Sequence, residues 1–172
     1  MTELIPVLKE DEIKSKVAAI ARRISADYAN EELVLIGVLK GAFIFLADLI
    51  RELTIPVSID FVGTSSYGAE NCSSGTITLT KAVSTDLKNK HVLIVEDIVD
   101  TGFTMAYLMT YLNSLGPKTV KICTLIDKPE RRELEVDIAY ACLAVSEGFL
   151  VGYGLDYNER YRGLPGIYHL KF

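Results

Sequence analysis

Apolar residues near the start of the chain fall at helical spacing: Ile13, Val17, Ile20 and Ile24 lie four, three and four apart. That spacing lines one face of an α-helix, with Asp11 as the expected N-cap. A continuous apolar run of strand length comes next, at residues 33–38 (LVLIGV). Helical spacing returns over residues 42–53, where Phe43, Leu46, Leu49, Ile50 and Leu53 form one stripe. Residues 57–62 (VSIDFV), 76–80, 91–95 (HVLIV) and 119–126 read as strands. Residues 104–115 read as a helix stopped by Gly116 and Pro117. Pro129 at a first turn predicts a short helix over 129–135, and two short strands are expected at 138–145 and 149–153. Strands alternating with helices indicate a parallel sheet covered on both faces. Ligands of such sheets bind at the carboxyl ends of the strands. The segments just after Val38, Val62, Val95 and Ile126 are therefore the places to look for a site.

One stretch breaks the pattern. Residues 63–75 (GTSSYGAENCSSG) are polar, glycine-rich and poor in core formers, and predict a long loop of the kind that carries function.

The whole is 172 residues with a hydrophobic fraction of 49% and a mean hydropathy of +0.26. That is a globular profile, and the length suits one domain over 1–172. A net charge of −5 with no basic run argues against nucleic acid as main partner. The three cysteines, Cys72, Cys123 and Cys142, form no CxxC pair, so neither a disulfide framework nor a zinc site is expected. Cys123, in an apolar run, reads as core. The N-terminus is too charged for a signal peptide, and no apolar run is long enough to span a membrane. The expectation is a cytoplasmic protein without a membrane partner.

The chemistry concentrates at residues 92–104 (VLIVEDIVDTGFT). An apolar strand runs into Glu96 and Asp97, passes Ile98 and Val99, and turns into a helix through Asp100, Thr101, Gly102, Phe103 and Thr104. First-turn amides of a helix lack internal partners, and the helix dipole favours negative charge there. Thr101 and Thr104 add hydroxyls, and Gly102 admits a close backbone approach. The three acids beside such an anion seat call for hydroxyl donors, a metal ion or a proton to accept. Two like charges about 6 Å apart repel by about 3 kcal/mol at an effective dielectric near 20.

This run resembles the phosphoribosyl pyrophosphate signature of the type I phosphoribosyltransferases, and VEDIVDTGFT is closest to the hypoxanthine-guanine branch. Further segments match in order from about Val7 to Arg162: Leu39-Lys40-Gly41, Ser66-Tyr67-Gly68, Lys128, and the block from Phe149 to Arg162. The resemblance implies a parallel-sheet α/β fold with helices on both faces, a small hood built from terminal segments, and a flexible lid loop at about 63–75.

It implies roles as well. Glu96 and Asp97 would meet the ribose hydroxyls, directly or through Mg²⁺. Asp100 would take the proton from purine N7. The 5′-phosphate would lie on Ile98–Thr104 through their amides and hydroxyls. Lys40, Gly41 and Arg162 would hold pyrophosphate, and Ser66 and Tyr67 would belong to the lid. Lys128, Phe149, Leu150 and Asp156 would form the purine site, Lys128 on the 6-oxo group and Phe149 stacked on the ring. Asp156 would also join Glu96 and Asp97 as a magnesium ligand. Phe103 stands where the family often has lysine, which matters little if backbone amides do the binding. Residues 142–149 (CLAVSEGF) depart from the family's usual GFEIPDKF, putting Glu147-Gly148 in place of an aspartate-lysine pair.

The implied activity is Mg²⁺-dependent transfer of the phosphoribosyl group from phosphoribosyl pyrophosphate to N9 of hypoxanthine or guanine. The products are IMP or GMP and pyrophosphate, in purine salvage, by a homodimer or homotetramer. Two alternatives stay open: an enzyme for another base such as xanthine, and a regulatory ligand-binding module on the same fold. Fold alone does not decide between catalysis and binding.

Overall fold

The computed structural model of the protein describes residues 1–67 and 76–172. Its principal sheet has six strands: β2 (Leu33–Leu39), β3 (Val57–Tyr67), β4 (Thr76–Lys81), β5 (His91–Val99), β6 (Thr119–Asp127) and β7 (Ile138–Ala144). Their order is β4-β3-β2-β5-β6-β7, parallel except for β4, which pairs antiparallel with β3. The central strands are apolar at nearly every position because both faces are covered. Leu33, Leu35, Leu93, Val95, Cys123 and Leu125 point to one side, among residues of α1 (Glu10–Asp27) and α2 (Phe43–Glu52). Val34, Ile36, Val92, Ile94 and Ile122 point to the other, against Met105, Leu108 and Leu112 of α3 (Phe103–Asn113). The two-residue period of the strand thus feeds two cores at once. Each fully buried aliphatic side chain contributes about 1.5–3 kcal/mol.

A second, antiparallel sheet of order β1-β9-β8 is built from β1 (Glu3–Leu8), β8 (Leu150–Val151) and β9 (Ile167–Lys171). It is the hood of terminal segments that the resemblance implies. Neither β1 nor β9 is visible as a strand in the hydrophobic pattern: each is short, and their central residues are only half buried or exposed.

Several expectations need correction. Helix α1 begins at Glu10 with Lys9 as its N-cap residue, whose amide donates to Glu12 Oε2 at 2.7 Å. Asp11 lies inside the first turn, where three consecutive acids complement the positive end of the helix dipole. The expected loop at 63–75 starts later. Residues 63–67 continue β3, paired with β4, because hydrogen bonding to a neighbouring strand needs no apolar side chains. Residues 68–75, the rest of the expected lid, and Cys72 lie outside the described residues. The helix expected at 129–135 is a single 3₁₀ turn, Pro129–Arg131. Strand β8 is shorter than its expected 149–153, since Gly152 and Tyr153 take positive φ.

Candidate active site

The site lies where β2, β5 and β6 end. Strand β5 delivers Glu96 and Asp97. Glu96 is buried, 7% exposed, and its Oε1 accepts the Asp97 amide at 3.0 Å. Burial, reinforced by the adjacent Asp97 charge, pushes the Glu96 carboxyl well above the usual carboxylate range. Asp97 Oδ1 accepts the Ile98 amide at 2.8 Å. The other oxygen, Oδ2, rests against Gly41, where an added Cβ would lie 1.8 Å from it. Gly41 is also close to Gly154: a Cβ on Gly154 would come 2.2 Å from the Gly41 carbonyl oxygen. Gly41 therefore brings together the end of β2, the acidic end of β5 and the C-terminal block. The Leu39–Lys40 peptide bond is cis.

Beyond Val99 the chain turns into α3. Gly102 is the N-cap, left-handed at φ 95°, and makes no side-chain capping bond. The amides of the first turn are therefore left for a ligand. The turn is held from behind: the Thr101 carbonyl accepts the Glu133 and Leu134 amides at 2.9 and 3.0 Å, and the Asp100 carbonyl accepts Arg132 Nε at 3.0 Å. A recess of about 90 Å³ opens in front, lined by Glu96, Ile98, Val99, Asp100, Thr101, Gly102, Thr104 and Met105. The Phe103 side chain lies elsewhere, in a groove with Tyr107, Tyr111 and Leu134, so it offers the recess only main chain.

Beside this recess is a larger cavity of about 490 Å³. Asp97, Ile98 and Asp100 line it from the β5 side; Lys128 and Arg131 from the end of β6; Phe149, Leu150 and Asp156 from the C-terminal block. Lys128 is only 4% exposed, and its Nζ donates to the Gly148 carbonyl at 2.5 Å. Burial lowers its pKa, partly opposed by the Asp100 charge. Phe149 is 45% exposed, with the rings of Tyr157 and Phe172 edge-on at 5.6 and 6.2 Å.

Beyond the end of β2, Lys40 Nζ meets Glu159 Oε2 at 3.1 Å. Arg162 reaches Glu159 Oε1 and Asp156 Oδ1, both at 3.2 Å, and donates to the Gly154 carbonyl at 2.7 Å. Hydrogen bonds from Lys40 and then Arg162 draw the Glu159 carboxyl below its ordinary pKa. Arg162 Nε is buried without a partner among the described residues.

The structure thus gathers every expected site residue except Ser66 and Tyr67, which lie on the β3–β4 hairpin opposite Ile77 and Thr76. The hairpin adds none of the described residues lining the larger cavity. Three residues were not anticipated. Arg131 Nε stands 3.1 Å from Asp100 Oδ1, as an ion pair. Arg132, nearly buried, braces the turn at Asp100 and pairs with Asp127. Glu159 links Lys40 to Arg162. The arginines belong to the basic cluster 128–132, whose position just after a β-strand end was the available signal.

Among the described residues, no three His, Cys, Asp or Glu side chains converge as a ready metal cage. Magnesium does not require one, since it commonly uses one or two carboxylates plus substrate oxygens and water. The strained Glu96–Asp97 neighbours suit that arrangement, because a cation would relieve both the desolvation and the repulsion that disfavour ionised Glu96.

A family model for the phosphoribosyl transferase domain matches residues 7–158. The chain belongs to this family. Among curated phosphoribosyltransferase relatives, it is 45% identical over 166 residues to a hypoxanthine-guanine phosphoribosyltransferase of Aquifex aeolicus, covering 96% of this chain and 93% of that one. It is 40% identical over 164 residues to a hypoxanthine phosphoribosyltransferase of Haemophilus influenzae, covering 94% and 92%. A crystal structure of a hypoxanthine-guanine phosphoribosyltransferase from Bacillus anthracis superimposes with a TM-score of 0.94 at 38% identity, covering both chains fully. The type I phosphoribosyltransferase fold is common to this chain and that neighbour.

Proposed function

We propose that the protein, acting as one phosphoribosyltransferase domain over residues 1–172, salvages purines by transferring the 5-phosphoribosyl group from phosphoribosyl pyrophosphate to N9 of hypoxanthine or guanine. The observation that carries this reading is the pairing of two compartments across Asp100. One is a small recess rimmed by unpaired helix amides; the other is a larger cavity with a buried lysine and an exposed aromatic ring. The recess suits a 5′-phosphate on the main chain of Ile98–Thr104. The cavity suits a planar base stacked on Phe149, with Leu150 offering backbone atoms to its edge. A stacked base gains about 1–3 kcal/mol. Lys128 can donate only, which favours a 6-oxo acceptor over the amino group of adenine.

Breaking the bond from C1′ to pyrophosphate leaves an oxocarbenium-like ribose, as in glycoside cleavage. Lys40, the Gly41 main chain and Arg162 stabilise the departing anion. Glu96 and Asp97 meet the ribose hydroxyls and face the developing positive charge. N9 attacks C1′ while Asp100 accepts the N7 proton, and no covalent enzyme intermediate is needed. One or two carboxylates at a time, from Glu96 and Asp97 at the end of β5 or from Asp156 on the C-terminal block, would hold Mg²⁺ together with substrate oxygens, and the ion would supply charge neutralisation for the pyrophosphate. Ser66 and Tyr67 root the lid that excludes water from the reacting sugar. The reaction belongs to the cytosol. The assembly is a homodimer or homotetramer, to which the partly exposed Phe43 on α2 could contribute an apolar contact.

The test is Asp100→Asn. The expected loss in kcat is about 10²–10⁴-fold, with little change in KM for phosphoribosyl pyrophosphate; undiminished turnover removes the base. Initial rates across hypoxanthine, guanine, xanthine and adenine, with and without Mg²⁺, check the acceptor and the metal.

A further inference from the structure

The two cations assigned to pyrophosphate already hold an anion in this structure, and it is a side chain of the protein itself. Glu159 places one carboxylate oxygen on each: Oε2 at 3.1 Å from Lys40 Nζ and Oε1 at 3.2 Å from Arg162. Lys40 and Glu159 are 119 residues apart in sequence, so the bridge is not a local accident of one helix or strand.

The turn that presents Glu159 is tightly built. Tyr157 and Arg160 exchange backbone hydrogen bonds at 3.1 and 3.0 Å. Asn158 and Glu159 both take left-handed conformations, at φ 50° and 62°. Asp156 Oδ2 accepts the Glu159 amide at 2.8 Å. A short turn of this kind fixes the direction in which Glu159 leaves the main chain. Both members of the Lys40–Glu159 pair remain solvent-exposed, at 67% and 63% of their side chains. An exposed ion pair is weak, so a ligand carrying several negative charges can displace it.

We infer that Glu159 is an internal competitor for pyrophosphate: its carboxylate bridges Lys40 and Arg162 when the site is empty and re-forms that bridge as the leaving group departs. This rests on the proposed function. The bridge weakens pyrophosphate binding by the strength of the displaced contacts and keeps the two side chains gathered between turnovers. A residue that only organised the cations would have the opposite effect, since removing its charge would loosen them and weaken the ligand.

Calorimetric titration of the full chain with inorganic pyrophosphate and Mg²⁺ separates the two. Glu159→Gln keeps the side-chain shape and removes the charge. The expected result is a Kd for pyrophosphate about 3–10-fold lower than wild type. A parallel fall in KM for phosphoribosyl pyrophosphate is expected, with KM for the purine unchanged. Glu159→Ala is expected to shift in the same direction. A glutamine variant that binds pyrophosphate no more tightly than wild type overturns the competitor role while leaving the function intact. A wild-type protein that takes up no pyrophosphate overturns the function, and the inference with it.

Discussion

In the turn from Asp100 to Thr104, the groups proposed to bind an anion are main-chain amides held by bonds from behind. Around the block from Gly148 to Arg162 they are the side chains of Lys40, Lys128 and Arg162, and all three already have internal partners. Gly102 offers the recess no capping side chain, and its conformation is locked by contacts on the far side. Across the site, Lys128 donates to the Gly148 carbonyl, while Lys40 and Arg162 share Glu159. The turn can be ready for its ligand without internal substitutes because amide dipoles are modest and accessible to water. A buried ammonium is costly without a hydrogen-bond acceptor. The two walls therefore differ in what binding must undo: on the turn it replaces solvent, and on the block it exchanges one protein contact for a ligand contact.

The difference is sharpest at two glycines with nearly the same φ. Gly102 has φ 95° and Gly148 has φ 91°. An alanine at either carries left-handed strain of about 1–3 kcal/mol. At 102 the new methyl group would lie 2.2 Å from the Leu134 carbonyl oxygen, part of the backbone that braces the turn. At 148 it would lie 2.3 Å from His169 Nδ1, a side chain that can swing aside. Gly102→Ala is therefore expected to lower the urea midpoint more than Gly148→Ala. It should also raise KM for phosphoribosyl pyrophosphate by about 10-fold or more, which is about 1.4 kcal/mol in binding terms. Equal behaviour of the two variants would erase the distinction between a backbone-built wall and a side-chain-built one.

This contrast also governs what could be read from the sequence. The turn was legible almost residue by residue, because an apolar strand, two acids and a glycine-containing helix start occupy thirteen consecutive positions, 92–104. The central strands were legible because each is buried on both sides. The C-terminal block was legible only through family resemblance: its chemistry depends on consecutive left-handed residues and on contacts to residues more than a hundred positions away. Glu159 lies within the matching block but received no role of its own. Arg131 and Arg132 received no role, since only the 3₁₀ turn after Lys128 brings them to Asp100. The hood strands β1 and β9 escaped because each is short and buries only one or two of its side chains, Leu8 in β1 and Ile167 and Leu170 in β9.

A more selective effect, confined to the base, is expected at Lys128, which follows β6 and faces the block through Gly148. Its amine is buried and donates to Gly148, so Lys128→Met removes a charged donor without removing the stem. A hydrogen bond to a charged group is worth about 1.5–3 kcal/mol, so KM for hypoxanthine and guanine should rise about 10–150-fold. KM for phosphoribosyl pyrophosphate should stay nearly constant, because the turn proposed to hold the phosphate is untouched. Adenine, which gains nothing from a cation at that position, should lose nothing. A uniform loss across all bases would mean that Lys128 supports the cavity wall rather than reading the base.

The smallest effect is expected at Phe172. Its ring lies 5.0 Å from Tyr157 and 6.2 Å from Phe149, both in edge-type contact, with Tyr157 itself 5.6 Å from Phe149. Three rings in mutual edge contact restrict the orientation of the one proposed to stack on the purine. Each such pair is worth about 0.5–1.5 kcal/mol beyond burial. Phe172 is 72% exposed, so the lower end applies, and Tyr157 continues to support Phe149 when Phe172 is cut back. Phe172→Ala should therefore raise KM for the purine about 2–3-fold. The melting temperature and KM for phosphoribosyl pyrophosphate should hold. A change in the pyrophosphate side instead would show that the block transmits strain along its length; restriction to the base would show that its two ends, Phe149 and Arg162, work independently.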